Sequence, residues 1–95
     1  MAVLEVETFS LNPGVDASHF RNLDEQMQEW CYLNRPGLAR RTTARDEDGS
    51  YVVITLFGDA ADAIPIGAST SHPTVTAWVA AVSGASRKVA VYSLL

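Results

Sequence analysis

Ser50 to Phe57, with the sequence SYVVITLF, is the longest uninterrupted run of strand-forming residues in this chain. It follows the turn Asp46–Gly49 and ends at Gly58. Alternate side chains are apolar on both faces of this strand, and Thr55 is the polar exception. A strand that is apolar on both faces must be covered on both sides, so the sequence places it in the middle of a sheet.

Three further strands flank this central one. Ala2–Leu11 alternates as the first strand, Leu38–Arg45 is polar enough to be an edge strand, and Arg87–Leu94 is the last. The Asp46–Gly49 turn joins the edge strand to the central strand as an antiparallel hairpin.

Two amphipathic helices complete the order β-α-β-β-α-β. Asp16 caps the first helix, which buries one apolar stripe and leaves Asp24 and Gln28 on its wet side. That stripe consists of Phe20, Leu23, Met27, Trp30 and Cys31. Pro73 begins the second helix, which runs to Ser83. Right-handed crossovers then give an α+β, ferredoxin-like fold, an antiparallel sheet in the order 4-1-3-2 with both helices on one face.

Size and composition exclude several classes of protein. The 95 residues form one domain, 1–95, and the net charge of −4 excludes nucleic-acid binding through a basic face. The single cysteine, Cys31, excludes an internal disulfide. No signal peptide or apolar spanning segment is evident, so we expect a cytoplasmic protein without membrane contact.

Two helices can cover only one side of a four-stranded sheet. The sequence predicts an apolar patch on the other side, formed by Val3, Phe9, Leu11, Tyr51, Val53 and Phe57. Soluble monomers rarely keep such a patch exposed. We therefore expect a homodimer in which a second copy covers the helix-free face.

Over nearly its whole length, the sequence resembles the dimeric α+β barrel superfamily, and within it the antibiotic-biosynthesis-monooxygenase-like proteins. The resemblance rests on the first strand leading to Pro13–Gly14, the Asp48–Gly49 hairpin, and His72–Pro73 before a helix with Trp78. It implies a dimeric barrel, and a family that includes cofactor-free oxygenases of phenolic or quinone-like compounds, haem-degrading enzymes, isomerases and members without known activity. The fold therefore does not fix the chemistry.

Glu5 and Glu7 are the first candidates for catalytic groups. They lie two apart on a strand, point to the same side, and would face the dimer interior together with Phe9. Neighbouring buried carboxylates tend to hold a proton, which suits acid–base work. The alternative is that Arg40 or Arg41 and Lys88 neutralise them, or that they are half exposed.

His72 is the better single catalytic candidate, as an acid–base or orienting group supported by Glu5 and Glu7, and its alternative role is a helix cap. Haem-degrading relatives use a histidine on the second helix, an asparagine on strand one and a tryptophan near the end of strand three. This chain lacks that asparagine and tryptophan, so the resemblance does not favour haem, and we expect no cofactor and no metal site. The loop Pro65–Ser71 is expected at the mouth of a cavity, or is a benign insertion.

Five residues are candidates for binding a ligand: Arg41, Tyr51, Phe57, Trp78 and Tyr92. The first functional hypothesis is a homodimeric monooxygenase, or isomerase, acting on a small hydrophobic or aromatic molecule held between helices and sheet. The second is a non-catalytic dimeric ligand-binding or accessory module with a filled interior. A cavity that His72 reaches favours the first hypothesis, and a solidly packed interior favours the second.

Overall fold

The computed structural model describes residues 1–64 and 71–95. Its elements are β1 (Val3–Phe9), α1 (Ala17–Asn34), β2 (Leu38–Arg45), β3 (Tyr51–Phe57), a 3₁₀ turn (Ala60–Asp62), α2 (Pro73–Ala81) and β4 (Lys88–Ser93). The strands pair antiparallel in the order β2-β3-β1-β4. This confirms the predicted ferredoxin-like α+β fold and its strand order. All but the last residue of the loop predicted at Pro65–Ser71 lies outside the described residues.

Local chemistry sets the element boundaries. Asp16 caps α1, because its Oδ1 accepts a hydrogen bond of 2.7 Å from the backbone N–H of His19. In the turn before β3, Asp46 Oδ1 accepts from the N–H groups of Asp48 and Ser50, each at 2.9 Å. Gly49 completes this turn with φ +86°, a left-handed conformation that favours glycine. Both boundaries agree with the sequence-based prediction.

The core lies between the two helices and the sheet. It is centred on four aromatic rings, of which Phe9 and Phe20 each contact the other three, Tyr51 and Trp78 included. Phe9 stacks on Tyr51 with ring centroids 5.7 Å apart. Phe9 also makes edge-to-face contacts with Phe20 and Trp78, at centroid separations of 5.7 and 5.2 Å. Such offset and edge-to-face contacts add to the stabilisation that burial of these rings already provides. Aromatic side chains therefore fill the space between helices and sheet at the end of the sheet where Phe9 pairs with Tyr51.

The faces of the sheet are the reverse of those predicted. Val3, Phe9, Tyr51, Val53 and Phe57 were expected on the helix-free side, but all of them are buried beneath the helices. Leu11 also packs against this core. The helix-free face, which we call the open face, carries the alternate residues: Leu4, Val6, Val52, Ile54, Leu56, Ala90 and Tyr92. The prediction was wrong because the alternation separates two sets of side chains without showing which set the helices cover.

Candidate functional site

The two β1 carboxylates are buried on the helix side of the sheet. Glu5 is 5% exposed and Glu7 is 7% exposed, in contrast to the predicted position in a dimer interior. Arg35, which follows the last residue of α1, donates to Glu5 from both terminal nitrogens at 3.3 Å. Its guanidinium also lies 4.6 Å from the centroid of the Phe57 ring. A two-bond arginine–carboxylate pair of this kind fixes the orientation of Glu5.

Glu7 forms an ion pair with Arg87, which precedes β4. Burial raises the pKa of the Glu7 carboxyl above its ordinary value, although the Arg87 guanidinium acts in the opposite direction. A carboxyl with a raised pKa exchanges its proton closer to neutral pH than an ordinary glutamate does. Glu7 is therefore suited to accept or donate a proton.

Apolar surface lies beside these carboxylates. Val89 is the β4 partner of Glu7, and Val91 is the β4 partner of Glu5. Cross-strand partners point to the same face, so both valines lie on the helix side. They are nevertheless 39% and 50% exposed. A small apolar molecule resting on Val89 and Val91 would therefore lie next to Glu7.

His72 is the N-cap of α2. Its Nδ1 accepts a hydrogen bond of 3.2 Å from the backbone N–H of Thr74, and its ring centroid lies 6.0 Å from that of Trp30. The residue is exposed. This geometry matches the capping role that the sequence left open, and the catalytic role of His72 stays a prediction.

A second polar cluster lies between α1 and β2, centred on Arg41. The Arg41 side chain is 3% exposed. Its terminal nitrogens donate to Asp24 at 2.8 Å and to Gln28 at 3.3 Å, and its backbone N–H donates to the Tyr32 hydroxyl at 2.9 Å. Asp24 Oδ1 also accepts from Trp78 Nε1 at 3.0 Å. Asp24 and Gln28 therefore face β2, which corrects their predicted placement on the wet side of α1.

A groove of ≈ 800 Å³ opens beside this cluster, between α1 and β2. Arg41 and Tyr51, two of the predicted ligand-binding residues, line it. The other three lie elsewhere. Phe57 and Trp78 are buried in the protein at 0% and 1% exposure, while Tyr92 is 56% exposed on the open face. The five predicted residues therefore do not surround one ligand.

Sequence reasoning missed the partners of the buried charges. Glu5 and Glu7 were expected to pair with Arg40 or Arg41 and Lys88, but Arg35 and Arg87 neutralise them instead. The partners of Arg41, in contrast, could have been found from their spacing in the sequence. Asp24, Gln28 and Tyr32 are spaced four residues apart along α1, which puts them on one helical face.

The described residues provide neither a metal-binding cluster nor a membrane-spanning helix. Within residues 1–64 and 71–95, no group of three His, Cys, Asp or Glu side chains is arranged to hold a metal ion. Neither helix in those ranges is long and apolar enough to cross a bilayer. Cys31 is buried in the core, where burial raises the pKa of its thiol.

The fold is similar to that of proteins with solved structures, although the sequence matches no family model. No protein-family model matches the sequence, and a search of curated proteins found no match. SnoaB, a cofactor-independent oxygenase from Streptomyces nogalater, superposes with a TM-score of 0.71 at 21% identity, over 99% of this chain and 93% of SnoaB. The chain has the fold of the antibiotic-biosynthesis-monooxygenase-like proteins.

Two further structures share this monooxygenase-like fold. A candidate antibiotic biosynthesis monooxygenase from Caulobacter crescentus matches with a TM-score of 0.71 at 15% identity, covering 99% of this chain and 90% of the other. A dimeric ferredoxin-like protein of unknown function from Jannaschia sp. CCS1 matches with a TM-score of 0.70 at 14% identity, covering 99% and 100%. At these identities the likeness establishes the fold alone.

Proposed function

We propose that the protein is a homodimeric, cofactor-independent monooxygenase that acts on a small aromatic molecule held between helices and sheet. The observation that carries the proposal is the juxtaposition of Glu7 with the exposed Val89 on the helix side of the sheet. A buried carboxyl with a raised pKa beside open apolar surface is the arrangement expected of a general base. SnoaB, which is described as a cofactor-independent oxygenase, has the same fold.

The proposed reaction balances without an external reductant. Oxidising a methylene between aromatic rings to a carbonyl removes four electrons, and O₂ accepts those four electrons. One oxygen atom forms the C=O bond and the other leaves as water with the two methylene hydrogens. The first step is loss of a proton from the substrate, because the resulting carbanion gives up an electron to O₂ more easily than the neutral molecule.

Each catalytic candidate has a defined task in this proposal. Glu7 accepts the substrate proton, and the Arg87 guanidinium stabilises the negative charge beside it. Glu5, held by Arg35, keeps a second negative charge fixed near Glu7, which helps to raise the pKa of Glu7. His72 remains the candidate for orienting the substrate at the start of α2.

The homodimer is the second part of the proposal. Val6, Ile54 and Leu56 lie on the inner strands of the open face, where no helix of the described residues covers them. Association of two open faces would remove this apolar surface from water. The structurally similar Jannaschia protein is described as dimeric.

Oxygen uptake tests the enzymatic proposal. Anthrone carries a methylene between two aromatic rings and serves as the probe, with purified protein freed of metals by a chelator. We expect uptake above the uncatalysed rate, and a loss of about 100-fold in Glu7→Gln because a general base contributes at least that much. Glu47→Gln, which removes the same charge in the β2–β3 turn, is the matched control. Uptake at the uncatalysed rate, or equal rates in Glu7→Gln and Glu47→Gln, would contradict the proposal.

A non-catalytic ligand-binding module is the second candidate. The observation in its favour is the aromatic contact of Phe9, Phe20, Tyr51 and Trp78, which fills one end of the space between helices and sheet. His72 also uses its Nδ1 as a cap. Tight binding of anthrone without oxygen uptake would identify this second function.

A further inference from the structure

We propose that the groove between α1 and β2 is a separate binding site for an aromatic carboxylate. This site goes beyond the proposed oxygenase. It lies at the β2 edge of the sheet, and β3 separates it from β1 and Glu7. Its volume of ≈ 800 Å³ falls in the range of about 300–1,000 Å³ that is usual for sites of small organic molecules.

The charge of the groove selects an anion. Arg21, Arg41 and Arg45 line it on the helix side and Arg40 borders it from the open face of β2, against two carboxylates, although the whole chain has a net charge of −4. The two carboxylates are already paired, Asp24 with Arg41 at 2.8 Å and Glu25 with Arg21 at 3.7 Å. Arg45 makes no ion pair with any carboxylate in residues 1–64 or 71–95. Its charge is therefore available to an incoming anion.

The direction of Arg45 places this charge inside the groove. Arg45 pairs across the strands with Tyr51, whose side chain lies on the helix side. Cross-strand partners share a face, so Arg45 also lies on that side, toward α1. A carboxylate beside the Arg45 guanidinium would form a charge-assisted, two-bond contact.

Thr43 has an unsatisfied hydroxyl at the wall of the groove. Its Oγ1 is buried without a hydrogen-bond partner in the described part of the chain, and the residue lines the groove between Arg41 and Arg45. Buried hydroxyl groups are normally hydrogen-bonded, because leaving one unpaired is costly. Rotation of the Thr43 side chain about χ1 would turn the hydroxyl toward the groove, and a ligand oxygen accepting from it there would remove this cost.

The apolar part of the groove selects a ring. Tyr32, which is 46% exposed, offers aromatic surface to a ligand, and the largely buried Tyr51 and Phe20 rings lie behind it in the groove wall. The Tyr32 hydroxyl accepts from the backbone N–H of Arg41, so its own hydrogen points to a different acceptor. Inorganic anions are far smaller than this groove. A planar ring with a carboxylate at one end uses both the arginine and the aromatic side of the lining.

Calorimetric titration with 2-naphthoate tests this site, and the uncharged 2-naphthamide is the matched ligand. We expect 2-naphthoate to bind about tenfold more tightly than 2-naphthamide, because only the carboxylate gains the contact to Arg45. Arg45→Gln should abolish that difference. Lys88→Gln removes the same charge on β4, and the affinity should stay within about twofold of the wild type.

Thr43→Val separates binding from structure. The valine keeps the shape and removes only the unpaired hydroxyl, so we expect an unchanged or higher melting temperature together with weaker 2-naphthoate binding. Equal affinity for the two ligands, an equal effect of Arg45→Gln and Lys88→Gln, or full binding by Thr43→Val would each overturn the proposal. Amide chemical shifts that change at Val89 and Val91 rather than at Thr43 and Arg45 would overturn it too. None of these outcomes depends on oxygen uptake.

Discussion

On the helix side of the sheet, Glu5, Glu7 and Arg41 are each at most 7% exposed. On the open face, the inner strands β1 and β3 carry mainly apolar side chains, and Ile54 is 39% exposed. The helix side thus holds the buried charges. The open face, which no helix of the described residues covers, is the more apolar of the two on the inner strands. This is the opposite of what a simple separation of polar outside from apolar inside would give.

The difference follows from where counter-charges are available. A buried charge needs a partner with good geometry, since an unpaired charge in the interior is strongly destabilising. The end of α1 provides Arg35, the body of α1 provides Asp24, and the segment before β4 provides Arg87. On the inner strands β1 and β3, the charged side chains Glu5 and Glu7 both lie on the helix side, next to these partners.

The largest expected effect comes from placing a charge at the centre of the open face. Ile54→Asp should convert the proposed dimer into single chains, because two copies of the new carboxylate would be desolvated at the interface. Light scattering at micromolar concentration measures the mass. Val79→Asp, at a residue of α2 that is 40% exposed, is the control and should leave the mass unchanged. A wild-type mass of one chain would refute the proposed dimer.

An intermediate effect is expected from unpairing a charge on the helix side. Arg35→Met leaves Glu5 buried without its partner and should lower the free energy of unfolding by about 3 kcal/mol. The double variant Glu5→Gln with Arg35→Met removes both charges and should recover much of that loss. Urea denaturation measures both values. If the double variant were as unstable as the single one, the ion pair would not account for the loss.

The smallest effect concerns the pH dependence of stability. The pKa of Glu7 is higher in the folded chain than the ordinary glutamate value near 4, so the folded state holds this proton more tightly. The stability that protonation provides is therefore complete at low pH and disappears as pH rises through the folded-state pKa. Glu7→Gln lacks this titration, so its stability relative to the wild type should increase as pH rises from about 4 and then level off.

Unfolding free energies measured between pH 4 and 8 check this prediction. Glu47→Gln, which removes an exposed carboxyl on the turn before β3, is measured as the control. A stability difference for Glu7→Gln that falls with rising pH would mean that the pKa of Glu7 is lowered in the folded state.

The order and pairing of the strands could be predicted from the sequence, because strand-forming runs, Asp16 and the Asp46–Gly49 turn are local signals. Whether helices cover one set of strand residues or the other depends on packing between distant segments. The pairs Glu5–Arg35 and Glu7–Arg87 join residues 30 and 80 positions apart, and no local pattern connects them. The sequence left two roles open for His72, a catalytic group or a helix cap, and the hydrogen bond from the Thr74 N–H to its Nδ1 supports the cap.

One oxygen atom of Asp24 holds three elements together, since it belongs to α1 and accepts from Arg41 on β2 and from Trp78 on α2. A rotation of α1 that lengthened one of these bonds would also disturb the other. A residue that replaces Asp24 would therefore have to accept hydrogen bonds from both Arg41 and Trp78. Asparagine would keep an oxygen for either donor but would lose the charge that opposes Arg41, and no apolar residue could replace both contacts.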